Sequence, residues 1–256
     1  MRIHKDIVYD SRFPEICKLD LYLPESAATA PAYLYIHGGG LEAGDKNGVG
    51  KMAQHLTGRG IALVSIDYRM YPHCRFPDYL NDAAAAAAWV LHNSRDYFTM
   101  TDLVIGGTSA GGYISMMLYF NPGLLANCGV SLSAIKGGFF DAGQPTAHFN
   151  VLKYEQGLDS RCVRIDETAP LYYLNAVYTV PEKQPHIFIC CSSRDMVNRR
   201  EQLQVLYTAM LHFGFPQEKL TFKVYESAGH CAYCSWESYF EDLVIFIGNS
   251  IGRQTI

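Results

Sequence analysis

Apolar and polar residues alternate through CKLDLYLP (17–24), the two-residue period of a strand with one covered face. RIHKDIVYD, just ahead of it, is expected to pair with it. AYLYIHGGG (32–40) and IALVSIDYR (61–69) are apolar runs of strand length, and residues 48–59 between them have helical spacing. PDYLNDAAAAAAWVLHNSRDYF (77–98) carries the clearest helical signal. Its alanine run favours the helix and leaves a surface thin enough to lie close on a sheet. DLVIGG (102–107) predicts a short buried strand, YISMMLYF (113–120) a helix and GVSLSAI (129–135) a strand. HIFICCSS (186–193) and LTFKVYES (220–227) continue as strands, with helices at RREQLQVLYTAMLHFG (199–214) and WESYFEDLVIFIGNSI (236–251).

Strands separated by helices predict an α/β fold with a mainly parallel central sheet and helices on both faces. Ligands in such sheets bind at the carboxyl ends of the strands. Residues 136–185 show no clean period and are expected to form an insertion after the sixth strand, lying over that end. Its aromatics, Phe139, Phe140, Phe149, Tyr154, Tyr172, Tyr173 and Tyr178, would either line a substrate pocket or cover the insertion's own small core. No repeat or linker divides residues 1–256, so one domain is expected.

Composition narrows the partners. With 49% hydrophobic and 18% charged residues and a formal charge of -4, the chain is globular and lacks the basic surface that nucleic acid would need. MRIHKDIVYD does not have the form of a signal peptide, and the apolar runs are too short to span a bilayer. The expectation is a cytoplasmic protein without a membrane partner. The eight cysteines are scattered, and most are expected to be reduced and buried.

Candidate chemistry gathers where strands are predicted to end. Ser109 in GGTSAGG follows the strand DLVIGG and precedes a helix, the order of a nucleophile elbow. Gly107 and Gly111 would leave room for that sharp turn, and the helix beginning near Ala110 would aim its positive end at the site. A serine hydroxyl needs a base, and the base needs a carboxylate to orient it. His230 in ESAGHCAYC follows one strand and Asp195 in CSSRDMVNRR follows another. The order Ser109, Asp195, His230 is the one these roles take on successive strand ends of an α/β-hydrolase sheet. Asp166 in RIDETAP is the rival acid, but it falls in the irregular insertion.

The glycines of IHGGG (36–40) let the backbone bend so that the N–H groups of Gly39 and Gly40, with that of Ala110, could hold an oxyanion. A phosphate loop would instead require a lysine or a GxGxxG spacing that is missing here. CAYC (231–234) could suggest zinc or redox chemistry, but no second cysteine pair has matching spacing, so a short helical turn with buried thiols is expected. Cys190 and Cys191 are expected only to fill the core. No metal and no organic cofactor is required.

Taken together, HGGG (37–40), DYR (67–69), GTSAGG (107–112), Asp195 and AGH (228–230) resemble the α/β-hydrolase serine esterases with an HGGG oxyanion motif. The neighbourhood is that of the hormone-sensitive-lipase-like and the feruloyl and acetyl-xylan esterases. LDLYLP (19–24) is similar to the opening strand of that family. DYRMYPH and GTSAGG stand where hormone-sensitive-lipase-like members have DYRLAPE and GDSAGG, which favours the compact carbohydrate-ester and arylformamide hydrolases. The resemblance implies hydrolysis of a small ester through a Ser-His-Asp triad and an acyl-enzyme.

Overall fold

The computed structural model describes residues 1–176 and 184–253. Tyr178 therefore lies outside the described residues. In chain order the elements are β1 (Arg2–Val8), β2 (Lys18–Leu23), β3 (Thr29–Ile36), α1 (Gly50–Gly58), β4 (Ala62–Ile66) and α2 (Asp78–Asn93). There follow β5 (Thr99–Thr108), α3 (Ala110–Phe120), α4 (Pro122–Ala126), β6 (Ile135–Asp141) and α5 (Phe149–Tyr154). The chain then runs through β7 (His186–Arg194), α6 (Arg199–His212), β8 (Leu220–Gly229) and α7 (Glu237–Ser250).

The strands form one eight-stranded sheet in the order β1-β2-β4-β3-β5-β6-β7-β8. β1 and β2 pair antiparallel, β2 is antiparallel to β4, and every other pairing is parallel. The alternating pattern predicted this mainly parallel sheet, and its arrangement is the α/β-hydrolase-like one that the resemblance implies. Side chains alternate across the pleat. Leu63, Tyr33, Val104, Phe139 and Phe188 face α1 and α7, whereas Val64, Leu34 and Ile105 face α2 and α3. Phe140, Ile187 and Ile189 complete that second face against α3 and α6. Among the described residues no helix is long and apolar enough to cross a membrane.

The alanine run behaves as its composition dictates: Ala83, Ala84, Ala86 and Ala87 are fully buried. Just ahead of them sits a buried acid, Asp82, whose carboxylate accepts from the Arg69 backbone N–H at 2.9 Å and from its guanidinium at 2.7–3.1 Å. That pair ties the end of β4 to α2.

The strand expected at GVSLSAI is displaced. Ser131 accepts from the N–H of Ser133 and starts a single 3-10 turn at Leu132–Ala134, while the strand is IKGGFFD. Its glycine pair looks like a turn in sequence, but a side chain at 137 would come within 2.5 Å of Ser250 on α7. The glycines let α7 and the Phe140 ring close on the sheet. The inserted segment thus begins after Asp141, and Phe139 and Phe140 belong to the sheet core instead of to the insertion.

Candidate active site

The strand register brings the candidate groups together. Ile36 lies opposite Gly107 across the β3–β5 pairing, so the HGGG loop leaves the sheet beside the elbow. Arg194 lies opposite Gly229 across β7–β8, so Asp195 and His230 leave adjacent strands at the same level. His230 Nδ1–H donates to Asp195 Oδ1 at 2.5 Å, and the Ser109 hydroxyl donates to His230 Nε2 at 2.9 Å. Asp166 is elsewhere, accepting from Thr168 and Gln156 and paired with Arg164.

Ser109 has φ 58° and ψ -113°, a conformation that a non-glycine residue adopts only when its surroundings compel it. Those surroundings are tight. A side chain at Gly111 would come within 1.9 Å of the Ile36 carbonyl oxygen, and one at Gly107 within 2.5 Å of Gly111 and Ile36. The elbow is also fastened to β6, because Ser109 N–H donates to the Asp141 carbonyl at 2.7 Å.

Asp195 is well prepared as an anion. Its side chain is 1% exposed, and besides His230 it accepts from Ser192 N–H at 3.2 Å, Ser192 Oγ at 3.0 Å and Met196 N–H at 2.8 Å. Burial by itself would raise its pKa, but these donors hold it below the ordinary carboxylate value. Burial likewise disfavours the His230 imidazolium. The hydrogen bond to Asp195, and Cys231 beside it, outweigh that and push the pKa up to about 9.

The glycine loop is held by Tyr68, which the sequence offered only through the resemblance, and by groups that carried no sequence signal. Tyr68 of DYR stacks on the His37 ring at 4.4 Å and donates its hydroxyl to the His37 carbonyl at 2.9 Å. Glu42 and Ala43 donate backbone N–H groups to the Gly39 carbonyl, and Asn150 Nδ2 donates to that of Gly40 at 2.5 Å. Gly39 has φ 106°, and a side chain there would strike the Ala43 carbonyl. With the loop carbonyls occupied, none of the described hydrogen bonds uses the N–H of Gly39, Gly40 or Ala110.

Above these groups opens a cleft of about 440 Å³ lined by Gly39, Gly40, Ser109, Phe149, Met196 and His230, among others. Among the described aromatics expected in the insertion, Phe149 alone lines it. Tyr154 and Tyr172 are exposed and Tyr173 is half-buried. A cleft of about 570 Å³ lies at the start of β7 and β8, the opposite end of the sheet from the serine.

Two residues that line the cleft were not assigned to it from sequence. Met196 follows the acid, and Cys231 lines the cleft next to His230. CAYC does form a short 3-10 turn, but Cys231 and Cys234 are half-buried, not buried. Beneath them, fully buried Asp141 accepts from Thr108 Oγ1 at 2.9 Å, Tyr239 OH at 3.1 Å, Cys234 Sγ at 3.1 Å and Cys190 Sγ at 3.5 Å, and also from Tyr233 OH. Cys190 therefore does more than fill space. Burial raises the Asp141 pKa against the pull of these donors. Its network links the elbow strand to the turn that follows His230.

The sequence profile of the prolyl oligopeptidase family matches residues 77–253, a span that contains Ser109, Asp195 and His230. The chain belongs to the prolyl oligopeptidase family. Within this family member, residues 19–128, from β2 through the elbow, also match the BD-FAE family. Among curated proteins the chain is similar to Esterase LipI of Mycobacterium tuberculosis, 38% identical over 36% of this chain and 29% of the relative. It is also similar to the probable carboxylic ester hydrolase LipM of the same organism, 30% identical over 48% of this chain and 31% of the relative. The matched stretch therefore spans under a third of these relatives' length. Among solved structures, esterase B from Lactobacillus rhamnosis superposes with a TM-score of 0.77 at 18% identity, covering 98% of this chain and 85% of that one. A bifunctional GH43-CE protein of Bacteroides eggerthii also superposes at 0.77, with 20% identity, over 97% of this chain and 35% of that one. At such identities these superpositions speak for the fold.

Proposed function

We propose that this prolyl oligopeptidase family member is a serine carboxylic-ester hydrolase. The observation that carries the reading is the continuous hydrogen-bonded series from Ser109 through His230 to Asp195, mounted on a strained elbow that opens into a cleft. In this mechanism His230 Nε2 takes the Ser109 proton as Oγ attacks the ester carbonyl, and later gives that proton to the leaving alcohol. Asp195 holds the imidazole tautomer and stabilises the imidazolium. The N–H groups of Gly39, Gly40 and Ala110 receive the oxyanion, each such donor being worth about 3 kcal/mol in the transition state. Water activated by His230 then releases the acid and restores the serine.

The mechanism requires no metal or organic cofactor, and its substrate is a small ester with an acyl, carbohydrate or aryl group. The esterase names among the curated relatives support ester over amide substrates. The prolyl oligopeptidase profile supports a second reading, amide hydrolysis by the same residues. Rates on nitrophenyl acetate, butyrate and octanoate, beside methyl ferulate, an acetylated xylo-oligosaccharide and a matched nitroanilide, decide between them. Faster turnover of an ester than of its matched anilide is expected; turnover of the anilide alone would contradict the ester reading.

A further inference from the structure

A second cavity, of about 420 Å³, adjoins the cleft that holds Ser109, and Phe149 and Met196 line both. Its charged lining is one-sided. Arg161 and Arg199 contribute to its wall, together with Gln144 and Gln202, and no Asp or Glu does. The chain as a whole has 25 acidic against 21 basic residues, so this local excess of positive charge runs against its composition.

Arg161 sits at the rim, exposed and held by Asp159. Arg199, at the start of α6, is different: the residue is 4% exposed. One guanidinium nitrogen donates to the Ala142 carbonyl and another to Gln144 Oε1 at 3.3 Å. The second of these nitrogens also reaches Met196 Sδ at 3.8 Å, and all three acceptors are neutral. Asp195 is near enough for its charge to favour the guanidinium, but among the described residues no carboxylate lies within ion-pair distance of Arg199, and none of the described hydrogen bonds uses its Nε. Gln144 is itself locked, donating to Thr146 Oγ1 at 3.2 Å and the Ala147 carbonyl at 2.8 Å. The loop after β6 thus holds a guanidinium in place without neutralising it.

A buried charge is costly unless it is paired, and a guanidinium cannot escape the cost by losing its proton. A carboxylate entering the cavity would supply the missing partner through a charge-assisted contact of the kind arginine makes best. Phe149, Met196 and Val197 offer apolar surface to the carbon chain between that carboxylate and the scissile ester.

We propose that this cavity is a subsite for a carboxylate carried by the substrate, so that the enzyme favours half-esters of dicarboxylic acids or esters of hydroxy acids over neutral esters. The inference rests on Ser109 being the nucleophile, while the subsite itself is testable without turnover.

Two substrate pairs distinguish the sources of the carboxylate. Mono(4-nitrophenyl) glutarate against 4-nitrophenyl pentanoate places it on the acyl side, and 4-acetoxybutyrate against butyl acetate places it on the alcohol side. In the wild type the charged member of one pair is expected to have a kcat/KM about tenfold higher or more, a ratio that Arg199→Gln abolishes and Arg199→Lys partly keeps. Calorimetric titration with glutarate, which needs no catalysis, should show binding to the wild type that is about tenfold weaker in Arg199→Gln. Equal rates within both pairs, or a charged-to-neutral ratio unmoved by Arg199→Gln, would overturn the subsite and leave Arg199 as a loop anchor. If no ester turns over yet glutarate binds through Arg199, the ester reading has failed and the subsite stands. Should Arg199→Gln fail to fold, the wild-type ratios and glutarate binding decide alone.

Discussion

Each residue of the proposed triad has a separate physical task, so each substitution has its own signature. Ser109→Ala and His230→Ala remove the nucleophile and the base, and kcat is expected to fall by at least about a thousandfold with the fold intact by circular dichroism. Asp195→Asn can still fill its site but favours the wrong imidazole tautomer, with an expected loss of about 10⁴ in kcat. The pH profile adds a second signature. His230 acts as a base only when neutral, and its pKa is pushed up to about 9. The ascending limb of kcat/KM should therefore lie above the ordinary imidazole range, rising toward pH 9. Removing the Asp195 charge should move any residual limb to lower pH, and a limb unmoved by Asp195→Asn would contradict the assigned coupling. These positions were legible in sequence because each follows a strand-length apolar run. Asp141 and Arg199 were not, since a buried acid or arginine announces itself only through the neighbours that bury it.

At the level of elements, the site is where four strands stop. The sheet register sets Ile36 beside Gly107 and Arg194 beside Gly229, and the loops inherit that alignment. Gly111→Ala would drive a methyl group into the Ile36 carbonyl, 1.9 Å away, and such overpacking is expected to cost about 1–3 kcal/mol or more, read as a lower urea midpoint. Tyr68→Phe keeps the ring on His37 but loses the hydroxyl that holds its carbonyl. A drop in kcat/KM that exceeds the change in stability is expected, because the loop carrying Gly39 and Gly40 is loosened; equal kinetics would show that the stacked ring suffices. The helix and strand order could be read from periodicity, but the IKGGFFD strand could not. Its glycines look like a turn until α7 packs over them, so tertiary contact decides where local pattern misleads.

For the whole molecule, a buried ion pair ties the segment after β4 to α2. Arg69 leaves β4 and meets Asp82 inside the alanine-rich helix, whose carboxylate is 1% exposed. Arg69→Ala would leave that carboxylate without its counter-charge, holding only the backbone N–H of residue 69, and is expected to destabilise the protein by about 3 kcal/mol in urea unfolding. Alternation alone predicted the doubly covered sheet, and the resemblance carried by HGGG, GTSAGG and AGH pointed to an esterase-type site. The subsite chemistry stayed hidden because residues 142–162 have no period, and which of their side chains face the cleft depends on how that segment folds over it. The role proposed for Ser109 is that of the activated nucleophile of an ester hydrolase. Its most direct test is stoichiometric labelling with a fluorophosphonate during a nitrophenyl acetate assay. One label per chain on Ser109, with activity lost in proportion and no label on Ser109→Ala, is the predicted result; a wild type that takes no label and hydrolyses no ester would contradict it.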